Sequence, residues 1–184
     1  MTDFAEQYLA NIRLQFRSYR AMAEKAMAQV DDDAFFVVPF HDGNSLAILV
    51  KHMAGNMRSR WQDFFTSDGE KADRNRDMEF EVEAESRSDL MAAWSRSWDI
   101  LFGVLDPLTP ADLGWTITIR SEPHNVVEAV NRQLTHYAYH IGQIVMLARH
   151  HAGNDWQTLS VARGATKQFN EMMQRKHGGE THKQ

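Results

Sequence analysis

Histidines at helical spacing are the residues in this chain best suited to chemistry. His136 and His140 stand four apart in HYAYH, which on a helix places them on one face with Cβ atoms about 5–6 Å apart. Two imidazoles so placed can close on one ion at Zn–N distances of about 2.0–2.1 Å. The chain holds nine histidines, so one such pair says little alone. Its surroundings say more. The same face carries Arg132, Tyr139 and Gln143, a polar patch in an otherwise apolar helix. His52 lies on another inward stripe, beside Ile48, Leu49 and Met53, with Asn56 one turn on. Each could be an ordinary buried histidine satisfied by one hydrogen bond. Three together are costly, because an uncompensated polar group in a core costs several kcal/mol. One divalent ion on His52, His136 and His140 would satisfy all three.

Three neutral ligands leave the ion its full charge and at least one open position. Water bound there loses a proton near pH ~7, and a bound thiol is deprotonated outright. The residues therefore permit a metal-bound hydroxide attacking an ester or amide, or a metal-bound thiolate attacking an electrophile. Zinc suits three imidazoles, and nickel and iron also accept them. Asn56 and Gln143 sit within a turn of a ligand and are candidates to orient an imidazole or a bound water. Arg132 and Arg60 could meet an anionic substrate, although each reads more readily as an exposed helix arginine. The competing class is non-catalytic: the metal staples two helices of a ligand-binding or stress-related module. A fourth protein ligand would mark that case, and no Asp or Glu stands on these faces. His41 and His124, in loops, could edge the pocket. His150, His151, His177 and His182 read as surface residues.

Other chemistries lack their residues. The zincin pattern H-E-x-x-H fails because Tyr137 holds the glutamate position. There is no G-x-S-x-G, P-loop or G-x-G-x-x-G. The chain has no cysteine, which excludes disulfides and thiolate ligands and fits a reducing, cytoplasmic setting. Its start, MTDFAEQ, is acidic where an export signal would be basic and then apolar. No apolar run approaches the roughly 18 residues of a spanning helix. A net charge of −5 with mixed signs gives no basic face for nucleic acid.

Four long helices must position these groups. The first is expected over residues 3–30, stepping through Leu9, Ile12, Phe16, Tyr19, Ala23, Ala26 and Val30 and stopped by the acidic run 31–33 and Pro39. The second opens after Gly43 with Asn44 or Ser45 as cap and runs to about residue 65. A charged stretch over 67–81 shows no apolar stripe and reads as a surface loop. The third starts near Ser88 and buries Leu90, Trp94, Trp98, Leu101 and Leu105. Thr109-Pro110-x-Asp112 signals an extra turn, and WTITIR (115–120) alternates as a small hairpin or arm would. Asn125-x-x-Glu128 resembles a capping box for the fourth, ending near His151. A short C-terminal helix and a frayed tail over 178–184 complete the chain. The expectation is an all-α, up-down four-helix bundle in one domain over 1–177, with Trp61, Phe64, Trp94 and Trp98 as core or dimer packing.

SLAILVKHMAGNMRSRW (45–61), DGEKADRNRD (68–77) and QLTHYAYHIGQIVMLAR (133–149) together resemble the DinB/YfiT-like superfamily. WQTLSVARG (156–164) resembles a branch of it known only as a domain of unknown function. The resemblance spans nearly the whole chain. It implies a four-helix bundle, a metal held by residues matching His52, His136 and His140, and often a homodimer. It also implies thiol S-transferase, isomerase or hydrolase relatives, hence a small-molecule substrate and a low-molecular-weight thiol as co-substrate.

Overall fold

Side-chain caps set where most of the helices begin. The protein is described from a computed structural model over residues 3–82 and 84–178. Helix α1 spans Phe4–Met27. The acidic run beyond it does more than stop a helix: Asp31 accepts the Ala34 N–H at 2.8 Å and starts a short α2, Asp32–Phe36. Ser45 caps α3, Leu46–Trp61, by accepting the Ile48 N–H. Ser86 and Asp89 form a capping box for α4, Arg87–Leu105, and Asn125 and Glu128 form one for α5, Val126–Ala152. Each such cap typically contributes about 1 kcal/mol. Helix α6, Thr166–His177, follows an irregular segment. The tail expected over 178–184 lies, past residue 178, outside the described residues.

Helix α3 stops at Trp61, short of the expected residue 65. Gln62 leaves helical backbone at ψ 132° and Asp63 turns left-handed at φ 50°. That turn swings Phe64 back to stack on Trp61, with ring centroids 5.2 Å apart. The apolar pattern continued because Phe64 is buried, not because the helix is.

All four long helices feed one core. Phe16 of α1, Trp61 of α3, Trp94 and Trp98 of α4 and Tyr137 of α5 are fully buried. Phe16 meets Trp61 and Tyr137 edge-on at 5.9 Å, and Trp98 meets Tyr137 at 6.0 Å. Such contacts contribute about 0.5–1.5 kcal/mol each beyond burial. Helix α3 packs on α4, and α5 packs on both α1 and α3. The α3–α5 contact is the one that matters for the histidines.

The only sheet among the described residues is a hairpin of β1, Thr116–Ile119, and β2, Glu122–Asn125, antiparallel with Ile119 opposite Glu122. Ile117 and Ile119 are buried while Thr116 and Thr118 face out, the alternation expected of a half-covered strand. Its two-residue turn, Arg120-Ser121, has φ of 55° and 63°, the left-handed pair that tight hairpins require. No glycine eases it. Asp68 does so instead, accepting the Arg120 N–H at 2.8 Å and the Ser121 N–H at 2.7 Å. Among the described residues no helix is long and apolar enough to cross a membrane.

Candidate metal centre

His52 projects from α3 towards His136 and His140, one turn apart on α5. The Nε2 atoms of His136 and His140 are 3.0 Å apart, and one nitrogen from each ring can be chosen so that all three lie within 4.8 Å. Ligands about 2.0–2.1 Å from a tetrahedral ion stand about 3.4 Å from one another. The spacing therefore fits a divalent ion after small adjustments. Hydrogen bonds fix which nitrogens are presented. His52 Nδ1 lies 2.9 Å from the Glu79 carboxylate, and His140 Nδ1 lies 2.7 Å from Gln143 Oε1. The Glu79 carboxylate only accepts, so His52 Nδ1 carries a proton, and with Gln143 Oε1 accepting, so does His140 Nδ1, whose Nε2 faces His136. With the amide so placed, Gln143 Nε2 donates to the Tyr139 hydroxyl at 3.3 Å.

Burial keeps the two imidazoles of α5 neutral. It lowers the His140 pKa, with the Gln143 hydrogen bond opposing and His52 assisting. The His136 pKa falls to about 3, first through burial and then through repulsion from His140, His52, Arg60 and Arg74. At neutral pH His136 and His140 are uncharged, and a cation is the partner such a pair suits.

Glu79 is the residue sequence reasoning missed. It lies in the stretch read as a surface loop, yet its side chain is only 8% exposed. A 3₁₀ turn over Asp77–Phe80 carries it against α3. Arg74, 2% exposed, grips it with Nε and Nη2, both at 2.8 Å. Burial alone would raise the Glu79 pKa, but Arg74 and His52 outweigh it and hold the carboxyl below its usual range. Gly55 makes the room: a Cβ there would fall inside the Glu79 carboxylate. The signals were present in the sequence, a helix-interior glycine three residues after His52 and paired charges ahead of Phe80. Neither has a period to reveal it.

The other candidates divide. Gln143 orients His140, as just described. Asn56 is buried and accepts from the Tyr137 hydroxyl at 3.3 Å, which itself accepts from Trp61 Nε1 at 3.1 Å. Tyr137, at the zincin glutamate position, thus belongs to the core. Arg60 is no exposed helix arginine. It is 5% exposed, with Nη2 on Glu70 at 2.9 Å and Nη1 on the Gly69 carbonyl. It props the 67–81 segment from beneath while its edge reaches the cavity. Arg132 is exposed at the cavity's rim. His41 and His124 do not line the cavity. Trp61, Phe64, Trp94 and Trp98 pack inside the chain's own core.

Above the histidines opens a cavity of about 670 Å³. Its lining includes the three imidazoles, Asn56, Gln133, Phe80 and five arginines, Arg60, Arg74, Arg76, Arg120 and Arg132, and no carboxylate. A helical protein with three convergent histidines beneath an arginine-lined cavity is the class that fold and site define. The family model described as "Protein of unknown function (DUF1572)" matches residues 3–165, and the chain belongs to that family. No curated protein and no solved structure matches it.

Proposed function

We propose that this chain is a metalloprotein of the DinB/YfiT-like kind, a four-helix bundle holding one divalent ion, zinc or nickel, on His52, His136 and His140. The observation that carries the reading is the convergence of the three rings, one nitrogen of each within 4.8 Å of the others, with Glu79 and Gln143 holding the outer Nδ1 atoms of His52 and His140. A carboxylate behind a metal-binding histidine is the usual way a protein fixes its tautomer and strengthens it as a ligand. Zn²⁺, Ni²⁺ and Fe²⁺ all accept three imidazoles.

The same arrangement favours an open position. Glu79 is engaged by Arg74 and His52, so it does not supply a fourth ligand, and the imidazoles face a cavity of small-molecule size. Bound there, the ion would supply Lewis acidity to activate a water or a thiol. The chain is then an enzyme acting on a small molecule, a thiol transferase or a hydrolase, with its active form a cytoplasmic homodimer. The dimer rests on the superfamily resemblance and on exposed Phe40, Tyr139 and Met146 beside the site.

Metal analysis of the purified protein tests the first step: one equivalent of divalent ion, lost in His136→Ala and His140→Ala. A screen of the loaded protein with thiols plus electrophiles, esters and amides tests the second. Equimolar metal with no turnover on any of them would return the protein to the stapled, non-catalytic class.

A further inference from the structure

We propose that the cavity over the histidines takes a small molecule bearing an oxyanion, a carboxylate, phosphate or sulfonate, and that Arg76 and Arg132 hold that group. The inference deepens the metal-centre reading and rests on it for where the rest of the molecule lies. Five arginines line the cavity with no carboxylate among the lining residues. Three of the five are already engaged from behind. Glu70 accepts from Arg60 at 2.9 Å and from Arg120 at 3.0 Å, and Glu79 takes Arg74 on both oxygens. Arg76 and Arg132 form no ion pair among the described residues.

Their placement is specific. Arg76 lies over the Phe80 ring at 5.0 Å, and the same ring lies against His52 at 4.7 Å, so Phe80 connects Arg76 to the candidate metal site. Arg132 precedes His136 by four residues on α5, one turn along the same face. Two unpaired cations thus flank the histidines from the loop and from the helix. Beside Arg132 on α5, Gln133 also lines the cavity; it is 3% exposed and its buried Oε1 has no hydrogen-bond partner among the described residues. Buried polar atoms are nearly always paired. Guanidinium groups suit an oxyanion better than any neutral group because they present fixed, charged donors that can bind in pairs.

The test uses full-length protein loaded with cobalt(II) and two thiols of matched length, 3-mercaptopropanesulfonate and 1-propanethiol. Both can place sulfur on the metal, and a sulfonate coordinates metals poorly, so its charge stays free for the arginines. Thiolate-to-cobalt absorption reports affinity. Wild type should prefer the sulfonate by at least tenfold, and the Arg76→Gln/Arg132→Gln double variant should bring the two thiols to near parity. Equal affinities in wild type, or a preference that survives in the double variant, overturn the proposal. Both arginines are exposed, and an unchanged circular dichroism spectrum excludes misfolding. If the protein takes up no cobalt, the metal reading fails by itself. Calorimetry of propanesulfonate with wild type and the double variant then decides the anion site: binding lost with the arginines supports it, and no such binding overturns it.

Discussion

Glu79 serves two groups at once, accepting from His52 Nδ1 and closing a bidentate pair with Arg74. Its removal therefore has two effects of different kind. Glu79→Ala strands the buried Arg74 charge, which typically costs about 3–5 kcal/mol. Glu79→Gln keeps the shape and a single acceptor but loses the charge that would make His52 a strong ligand. That variant is expected to stay folded and to bind metal about 10–100-fold more weakly, read by competition with a chromophoric chelator. An unchanged affinity would mean that Glu79 only braces the loop. Gly55 belongs to the same unit. Alanine there gains about 1 kcal/mol of helix propensity, yet its methyl would occupy the carboxylate's place. Gly55→Ala should weaken metal binding in the same assay although the residue touches no ligand. At this scale the histidines were legible because 3.6-residue periodicity set each on an inward face. Glu79 was not, since nothing local in 67–81 says which charges turn inward, and Arg60 misled because it is a helix arginine whose partners lie in that segment.

Among the elements, the segment after α3 and the β1–β2 hairpin act as one clasp over the site. Asp68 grips the turn, the Gly69 N–H donates to the Thr118 carbonyl at 2.8 Å, and Glu70 receives Arg60 and Arg120. The hairpin's left-handed turn without glycine is strained backbone, and the Asp68 carboxylate compensates. The Glu70 N–H first, and then those of Ser121 and Arg120, hold its pKa below the usual aspartate range against the opposing effect of desolvation. Because the folded-state pKa is depressed, the stabilisation is present above the unfolded value, about 3.9, and is lost as pH falls through the folded one. Asp68→Ala should remove it at every pH, raising hydrogen exchange at Arg120 and Ser121 at least tenfold while the core helices keep their protection. Global loss of protection would instead make the clasp part of the folding core. The helix starts were legible because each cap is a local signal, as in Ser45 and the Asn125–Glu128 box. The end of α3 was not, because Phe64 satisfies the apolar pattern by folding back on Trp61.

In the molecule as a whole, the candidate metal centre joins α3 to α5, two elements that otherwise meet only through side chains of the core. An ion bound to the folded state alone stabilises it by RT ln(1 + [metal]/Kd), about 2.7 kcal/mol at a free concentration of 100 Kd. For a chain of 184 residues that corresponds to a rise in Tm of roughly 5–11 °C. The comparison is between chelator-treated and metal-loaded protein by differential scanning calorimetry. The size of the rise reports binding, whereas the state of the metal-free protein reports what the binding is for. The aromatic core of Phe16, Trp61, Trp94, Trp98 and Tyr137 is complete without the histidines. Chelated protein should therefore stay helical and melt cooperatively, only at a lower temperature, as should His140→Ala with or without metal. A staple predicts otherwise: chelation would abolish the cooperative transition and His140→Ala would not fold. A chelated protein that keeps its transition, beside a His140→Ala variant whose melting no longer responds to metal, places the ion in the service of the cavity.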